Sequence, residues 1–475
     1  MPCIHFETLG CRLNQLESES AARSFSDAGF GISMEQIAAS SAEQLDVVLC
    51  IVNTCTVTTK AEQKARREIR LLLSKCPAAC VVVTGCYAQL RPEEISAIDD
   101  RIAVLPGQQK DRLADIPVLL KRYAAENTQF SGKDFAALLK NGLFLLHGIQ
   151  PVPENPFRLS TDTFIAHSRS SIKIQDGCNN ECTYCCIHLA RGHSVSLDVQ
   201  SVLDRVIELE KAGQNEVVFT TVNIAQYRGE YHGSYLDFAD LLKILLDNTE
   251  KISFRMSSLY PEIVNRKLGT VIADKRVRPH FHISVQSGSD TILKRMKRPY
   301  LSEQVVAAAD LLRSVKDRPF LACDIITGFP GETDEDFEQT MALCRRCGFS
   351  WIHAFPFSPR PDTPAYSMKP VVPQSVAGER VARLTDFACS SKIAYINACA
   401  GTVREAVTET VHNPRILTGT NHVIHAVTDN FLHCEIHTAA ADIPAPGTVI
   451  AVKIEKALEQ RILAGGEWEA SAVIA

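Results

Sequence analysis

Three cysteines fall within eight residues of this sequence: Cys178-Asn179-Asn180-Glu181-Cys182-Thr183-Tyr184-Cys185. The spacing is C-x3-C-x2-C, short enough for three sulfurs to converge with no regular element between them. Three thiolates can hold one face of an iron–sulfur cluster. Four-cysteine sets usually close such a cluster. Three leave one iron without a protein ligand, and an open coordination position is where chemistry happens at a metal site. Two plainer readings compete. A zinc ion would want a fourth ligand, and His188, His193 and the spare thiol of Cys186 lie nearby in sequence. Alternatively, the three are unrelated free thiols.

A second set is spread over the N-terminal part. Cys11, Cys55 and Cys86 each follow an apolar run, at 4–9, 47–52 and 80–84. The second and third runs are continuously apolar, as expected of strands covered on both faces. Helical patterns at 14–28 and 59–74 separate the runs, and strands alternating with helices imply a parallel α/β sheet. Ligands of such sheets sit beyond the carboxyl ends of the strands, so each strand delivers one cysteine to the same edge. One buried free cysteine would mean little. Three in equivalent positions point to a second metal site. Gly10 and Gly85 beside them fit tight strand-to-loop turns. Cys3, Cys50, Cys76 and Cys80 read as core or incidental thiols.

The C-x3-C-x2-C loop opens a longer alternation. Strands are predicted at 171–175, 216–221, 251–257, 280–285, 320–327 and 351–355, with helices between them. Six such repeats suit a partial or complete β/α barrel, whose site lies at the carboxyl ends of the strands. The cysteine loop is at such an end. Between 109 and 168 the pattern weakens to helical stretches at 111–125 and 133–139 and turn-rich linker at 152–156 and 161–163. After 390, short strands at 403–410, 422–427, 431–436 and 449–454 read as a small five-stranded β-barrel.

At 475 residues the chain has material for about three domains. Seventeen cysteines with no secretory leader read as metal ligands and reduced core thiols. No apolar run reaches membrane-spanning length, so no membrane partner and a cytoplasmic location are expected. The net charge of −5 excludes a global basic field, and any nucleic-acid footprint must be local. Lys294, Arg295, Lys297 and Arg298 form one basic cluster, and Lys60, Lys64, Arg66, Arg67 and Arg70 another. Both are candidates for phosphate contacts. From Gly401 onward acidic residues outnumber lysine and arginine. Either a few residues there meet RNA, or that domain is a structural cap.

Thr8-Leu9-Gly10-Cys11-Arg12-Leu13-Asn14, Val52-Asn53-Thr54-Cys55 and Val83-Thr84-Gly85-Cys86-Tyr87, followed by the C-x3-C-x2-C loop, resemble the motifs of the radical S-adenosylmethionine (SAM) methylthiotransferases. With the patterns above, the resemblance implies an α/β protein in five parts. These are an N-terminal parallel α/β domain at 1–115, a helical segment and linker at 116–165, a radical-SAM (β/α) partial barrel at 166–396, a TRAM-like β-barrel at 397–460 and a tail at 461–475. It implies two [4Fe-4S] clusters, each with an open iron. Cys178, Cys182 and Cys185 would hold the radical-SAM cluster, and Cys11, Cys55 and Cys86 the auxiliary one. One SAM would methylate a sulfur held at the auxiliary cluster. A second would give the radical that takes hydrogen from an unactivated C–H bond, a task no side-chain base performs at neutral pH. The implied SAM contacts are Asn223, Ser257, Gln286, Gly328 and Glu332. The implied RNA contacts are Lys294, Arg295, Lys297, Arg298 and Arg360, with a structural role as the alternative for Arg360.

Within that family, residues 9–15 and 175–180 most resemble the MtaB type, which adds 2-methylthio to N6-threonylcarbamoyladenosine beside the tRNA anticodon. The implied partners are a tRNA anticodon stem-loop, a reducing electron donor and a sulfur donor. The isopentenyladenosine-tRNA (MiaB) and ribosomal-protein aspartate (RimO) types are alternatives. Of another class is a non-catalytic Fe–S protein that binds RNA or senses redox state. Two departures bear on that choice. His188 stands where the family usually has proline, and Thr221 where it usually has glycine.

Overall fold

Alternate side chains of a strand face opposite ways, so a strand apolar throughout must be covered twice. The N-terminal sheet is built this way. In the computed structural model, which describes residues 2–142, 155–159, 170–409, 422–438 and 444–475, five strands run parallel. They are β1 (Cys3–Thr8), β2 (Gly31–Ser33), β3 (Val47–Thr54), β4 (Cys80–Gly85) and β5 (Ile102–Val104), in the order β2-β1-β3-β4-β5. Leu49 and Ile51 of β3 pack with α1 (Arg12–Asp27) through Ala21, Ala22 and Phe25. Cys50 and Val52 pack on the other side with α2 (Thr59–Lys75) through Ala65, Ile69 and Leu72. Thr58 caps α2 by accepting the Ala61 N–H at 3.1 Å.

The helical segment expected from 116 onward packs on this domain. The helices Ile116–Glu126 and Gly132–Asn141 place Ile116, Leu120, Phe135 and Leu139 in the same core as α1. Of the linker segments expected at 152–156 and 161–163, residues 152–154 and 161–163 lie outside the described residues.

The central domain has strands β6 (Ser170–Lys173), β7 (Gln175–Asp176), β8 (Val195–Ser196), β9 (Glu216–Thr220), β10 (Gly229–Tyr231), β11 (Ser234–Leu236), β12 (Ser253–Met256), β13 (Ser258–Leu259), β14 (His280–Gln286), β15 (Phe320–Thr327) and β16 (Trp351–Pro356). Two parallel sheets, β12-β9-β6 and β13-β14-β15-β16, meet where Phe254 bridges Val277. Among the described residues β6 and β16 do not pair, so this is a partial barrel. The helices Val199–Lys211, Phe238–Asn248, Ser302–Val315 and Asp334–Cys347 contribute to its core.

The C-terminal unit is a closed barrel of β17 (Val403–Thr408), β18 (His422–Thr428), β19 (His433–Thr438), β20 (Val449–Ala457) and β21 (Ala470–Ile474), ordered β17-β18-β19-β21-β20. Segment 461–475 is therefore not a tail. It supplies β21, parallel to β19 and antiparallel to β20, which closes the barrel. Glu216 of β9 holds both Arg255 (2.7 Å) and Arg278 (2.9 Å), and Arg278 also pairs with Glu405 of β17. This chain, buried at Glu216, Arg255 and Arg278 and half exposed at Glu405, links the C-terminal barrel to the central one. No described helix is long and apolar enough to cross a membrane.

Candidate functional site

The C-x3-C-x2-C loop runs from β7 to the short helix Ile187–Arg191. Its entry depends on Gly177, at φ +70°, where a Cβ would lie 2.0 Å from the His193 carbonyl oxygen. Each sulfur meets a donor. Cys178 faces the Asn180 N–H (3.4 Å) and Asn223 Nδ2 (3.8 Å). Cys185 faces the Ile187 N–H (3.4 Å), and Cys182 faces Arg298 Nη1 (3.2 Å). Donors of this kind steady metal-bound thiolates and tune the metal. Burial pushes the Cys178 and Cys185 thiols up, and a coordinated metal is what deprotonates a thiol outright.

Cys11, Cys55 and Cys86 stand together just beyond the carboxyl ends of β1, β3 and β4. A Cβ on Gly10 would lie 2.7 Å from Cys55 Cβ, so glycine lets the first loop close on the second. Asn14 ties the two loops together, its Nδ2 donating to the carbonyls of Leu9 (2.8 Å) and Thr54 (3.1 Å). Burial pushes the Cys55 thiol up to about 12, and neighbouring Cys86 and Cys11 add to the rise.

Among the described residues no three His, Cys, Asp or Glu side chains are placed to grip a single metal ion. Cys186 Sγ contacts the Thr56 carbonyl (3.7 Å) and His193 Nδ1 lies 3.3 Å from Asn179 Oδ1. A multi-iron cube, by contrast, takes its thiolates on separate iron atoms.

A cavity of about 650 Å³ joins the domains. Cys11, Cys55 and Cys86 border one side of it. Thr221, Ser257, His282, Trp351 and His353 line the barrel side, and Phe431, His433 and Glu469 close it from the C-terminal barrel. His282 stacks on His353 (5.3 Å between centroids), and Trp351 Nε1 donates to His353 Nδ1 (3.3 Å). Arg12 stands over the Phe431 ring at 5.8 Å.

The predicted SAM contacts divide. Asn223 lies against Cys178, and Ser257 lines the cavity with its Oγ 3.1 Å from Thr221 Oγ1. Gln286 ends β14 at φ +70°, a strained position for a residue with a Cβ. Gly328 and Glu332 form the turn after β15. The Glu332 carboxylate accepts the Gly328 N–H (2.6 Å) and pairs with Arg380 (2.5 Å), bracing the turn from within.

Two predicted RNA contacts are corrected. Arg298 is buried, with Tyr260 and Tyr300 rings 4.9 and 4.8 Å away and Cys182 Sγ as its partner. Arg360 is buried too, bonded to Thr56 Oγ1 (2.9 Å), Thr59 Oγ1 (3.3 Å) and Glu62, so it fastens the end of the barrel to the Cys55 loop. Arg295 donates to the carbonyls of Pro330 (3.1 Å) and Lys369 (3.0 Å). Lys294 and Lys297 are exposed.

The sequence reasoning missed a buried ionic cluster of Glu17, Lys110, Lys173, Asp176 and Arg191. Its one visible trace was Lys173 between Ile172 and Ile174, a charge inside a predicted strand. The aromatic wall was also missed, although Trp351, His353 and Phe355 recur at the strand period of two.

Residues 172–344 match the radical SAM superfamily, and residues 3–107 match the uncharacterized protein family UPF0004. The chain is 42% identical to the threonylcarbamoyladenosine tRNA methylthiotransferase MtaB of Treponema pallidum, across 95% of this chain and 98% of that one. It is 35% identical to the MtaB of Thermotoga maritima, across 88% and 89%. The tRNA-2-methylthio-N(6)-dimethylallyladenosine synthase of Wolbachia pipientis is 28% identical across 84% and 87%. The chain belongs to the MtaB family of radical SAM methylthiotransferases. As a member it is an enzyme that uses SAM and [4Fe-4S] clusters, which decides against zinc and against a non-catalytic role. The departures within the MtaB pattern are local. His188 sits in the first turn of its helix, where proline would fit the same backbone.

Proposed function

We propose that this enzyme adds a 2-methylthio group to N6-threonylcarbamoyladenosine beside the anticodon of tRNA. The observation that carries the reading is the cavity itself, bordered by Cys11, Cys55 and Cys86 and walled by strands β9, β12, β14, β15 and β16 and by Ile187 and Arg191 of the helix that follows the C-x3-C-x2-C loop. Cys11, Cys55 and Cys86 would hold the auxiliary cluster, and Cys178, Cys182 and Cys185 the one that binds SAM. Bound there, these groups supply the transferable sulfur and a carbon radical strong enough for an unactivated C–H bond.

The chain's own residues do the rest. Asn180, Ile187, Asn223 and Arg298 hold the thiolates of the radical-SAM loop. Bases of single-stranded RNA loops are recognised by stacking on aromatic side chains, and His282, Trp351 and His353 offer such a face. The threonylcarbamoyl group carries a carboxylate, and Arg12 stands at the same cavity with its guanidinium over Phe431. The reductant and the sulfur donor come from outside the chain, and the cytoplasm supplies the tRNA.

Mass spectrometry of tRNA nucleosides from cells with and without the gene tests this. Loss of 2-methylthio-N6-threonylcarbamoyladenosine is expected. Loss of the methylthio isopentenyl form instead, or an unchanged tRNA profile, overturns it.

A further inference from the structure

Five ionisable side chains are buried together where the N-terminal sheet meets the barrel. Glu17 of α1 takes Lys110 Nζ at 2.5 Å, Lys173 Nζ at 3.0 Å and Arg191 Nη1 at 3.2 Å. Asp176 takes Lys173 Nζ at 3.0 Å and Arg191 Nη1 at 2.9 Å. All five side chains are between 2% and 10% exposed. Three cations face two anions, so the group carries one surplus positive charge.

Burying an uncompensated charge is expensive, so that surplus needs an anion nearby. The hydrogen bonds show where it faces. Arg191 Nη2 donates to Asn14 Oδ1 at 2.9 Å, and Asn14 holds the carbonyls of Leu9 and Thr54, at the approaches to Cys11 and Cys55. Arg191 and Asn14 line the cavity together with Cys11, Cys55 and Cys86. On its other side Asp176 Oδ1 accepts the Gly177 N–H at 2.8 Å, next to Cys178. One buried path thus joins the two cysteine loops.

We propose that this network is the counter-charge of the auxiliary cluster and sets its reduction potential. The inference rests on the reading that Cys11, Cys55 and Cys86 hold a [4Fe-4S] cluster. An oxidised cubane of charge +2 with three thiolates sums to −1, which one surplus cation balances. The same surplus favours the one-electron-reduced cluster, because the added electron is placed beside positive charge in a poorly screened interior. Lys110, Lys173 and Glu17 are positioning residues in this account and touch no substrate.

The test uses the full chain with Cys178, Cys182 and Cys185 all changed to Ala, reconstituted anaerobically so that only the auxiliary cluster remains. Its potential is read by electron paramagnetic resonance during a mediated dithionite titration. Lys110→Met removes a cation and lowers the potential. Glu17→Gln removes an anion and raises it. Each shift corresponds to about a tenfold change in the reduction equilibrium, or about 59 mV for one electron. A purely structural network would not give shifts of opposite sign. Lys173→Met repeats the cation arm if Lys110→Met does not hold iron. Shifts of the same sign, or none, with iron retained overturn the proposal. A triple-alanine parent that binds no iron overturns instead the assignment of the cluster to Cys11, Cys55 and Cys86.

Discussion

Arg360→Met separates two roles for one arginine. The family resemblance leaves Arg360 either structural or RNA-facing, and the structure buries it against the Cys55 loop. Its Nη2 donates to Thr56 Oγ1 and Glu62 Oε1, and its Nη1 to Thr59 Oγ1. Methionine keeps the stem and removes every donor. Glu62 would then keep only the Thr56 hydroxyl, at 2.5 Å. Removing one partner of a buried pair costs about 3–5 kcal/mol. The Glu62 side chain is 11% exposed and retains one donor, which argues for the lower end, about 3 kcal/mol. That is roughly a hundredfold in a local opening equilibrium. Hydrogen-exchange mass spectrometry reads it directly, as amides of residues 56–62 exchanging about a hundredfold faster. Arg360→Met with Glu62→Leu recovers most of the protection, because no charge is left unpaired. Unchanged exchange, with tRNA affinity weakened and its salt dependence reduced by about one phosphate, would refute the clamp and restore the RNA contact.

Three further outcomes follow from the geometry. Gly85→Ala drives a Cβ to 2.3 Å from the Thr54 carbonyl at φ +100°, so the reconstituted protein loses about half its iron, and full iron content refutes the geometry. Arg298→Met removes the donor on Cys182 and lowers the potential of the cluster proposed at Cys178, Cys182 and Cys185 while leaving tRNA affinity unchanged, and a loss of affinity instead would return Arg298 to the RNA surface. Burial lowers the His5 pKa from 6.5 to about 4, so the fold holds neutral imidazole while the unfolded chain takes the proton first. That stability is full above pH 6.5 and falls by about 3 kcal/mol as pH drops to 4. His5→Phe flattens this slope in chemical denaturation, and an unchanged slope refutes the assignment.

The fold was legible where burial wrote itself into local pattern. β3 and β4 are covered on both faces, so residues 47–52 and 80–83 are continuous apolar runs followed within three residues by Cys55 and Cys86. Segment 116–141 was less legible, because Ile116, Leu120, Phe135 and Leu139 acquire a core only against a sheet formed elsewhere in the chain. β21 was missed for a related reason. Its buried residues are Ala470, Ser471 and Ala472, small side chains that give little apolar signal. A barrel's closing strand is held by pairing with neighbours on both sides, here β19 and β20, and that pairing leaves no periodic trace in sequence.

The cysteines of the candidate site stand in short local motifs and the cations around them do not, and the reason is distance along the chain. Lysine and arginine are rarely buried unless paired, so a basic run reads as surface. Arg298 partners Cys182, Arg191 partners Glu17 and Arg360 partners Glu62, all more than a hundred positions away. No local window contains both members of such a pair. The run from Lys294 to Arg298 makes the point at single-residue scale. Its helix ends at Arg295, and Lys297 then takes φ +53°, a left-handed turn. After that turn Arg298 is buried against Cys182, while Lys294 and Lys297 stay exposed. A sequence run counts these cations as one patch. The backbone assigns some of them to solvent, where phosphate can reach, and one to the Cys182 sulfur.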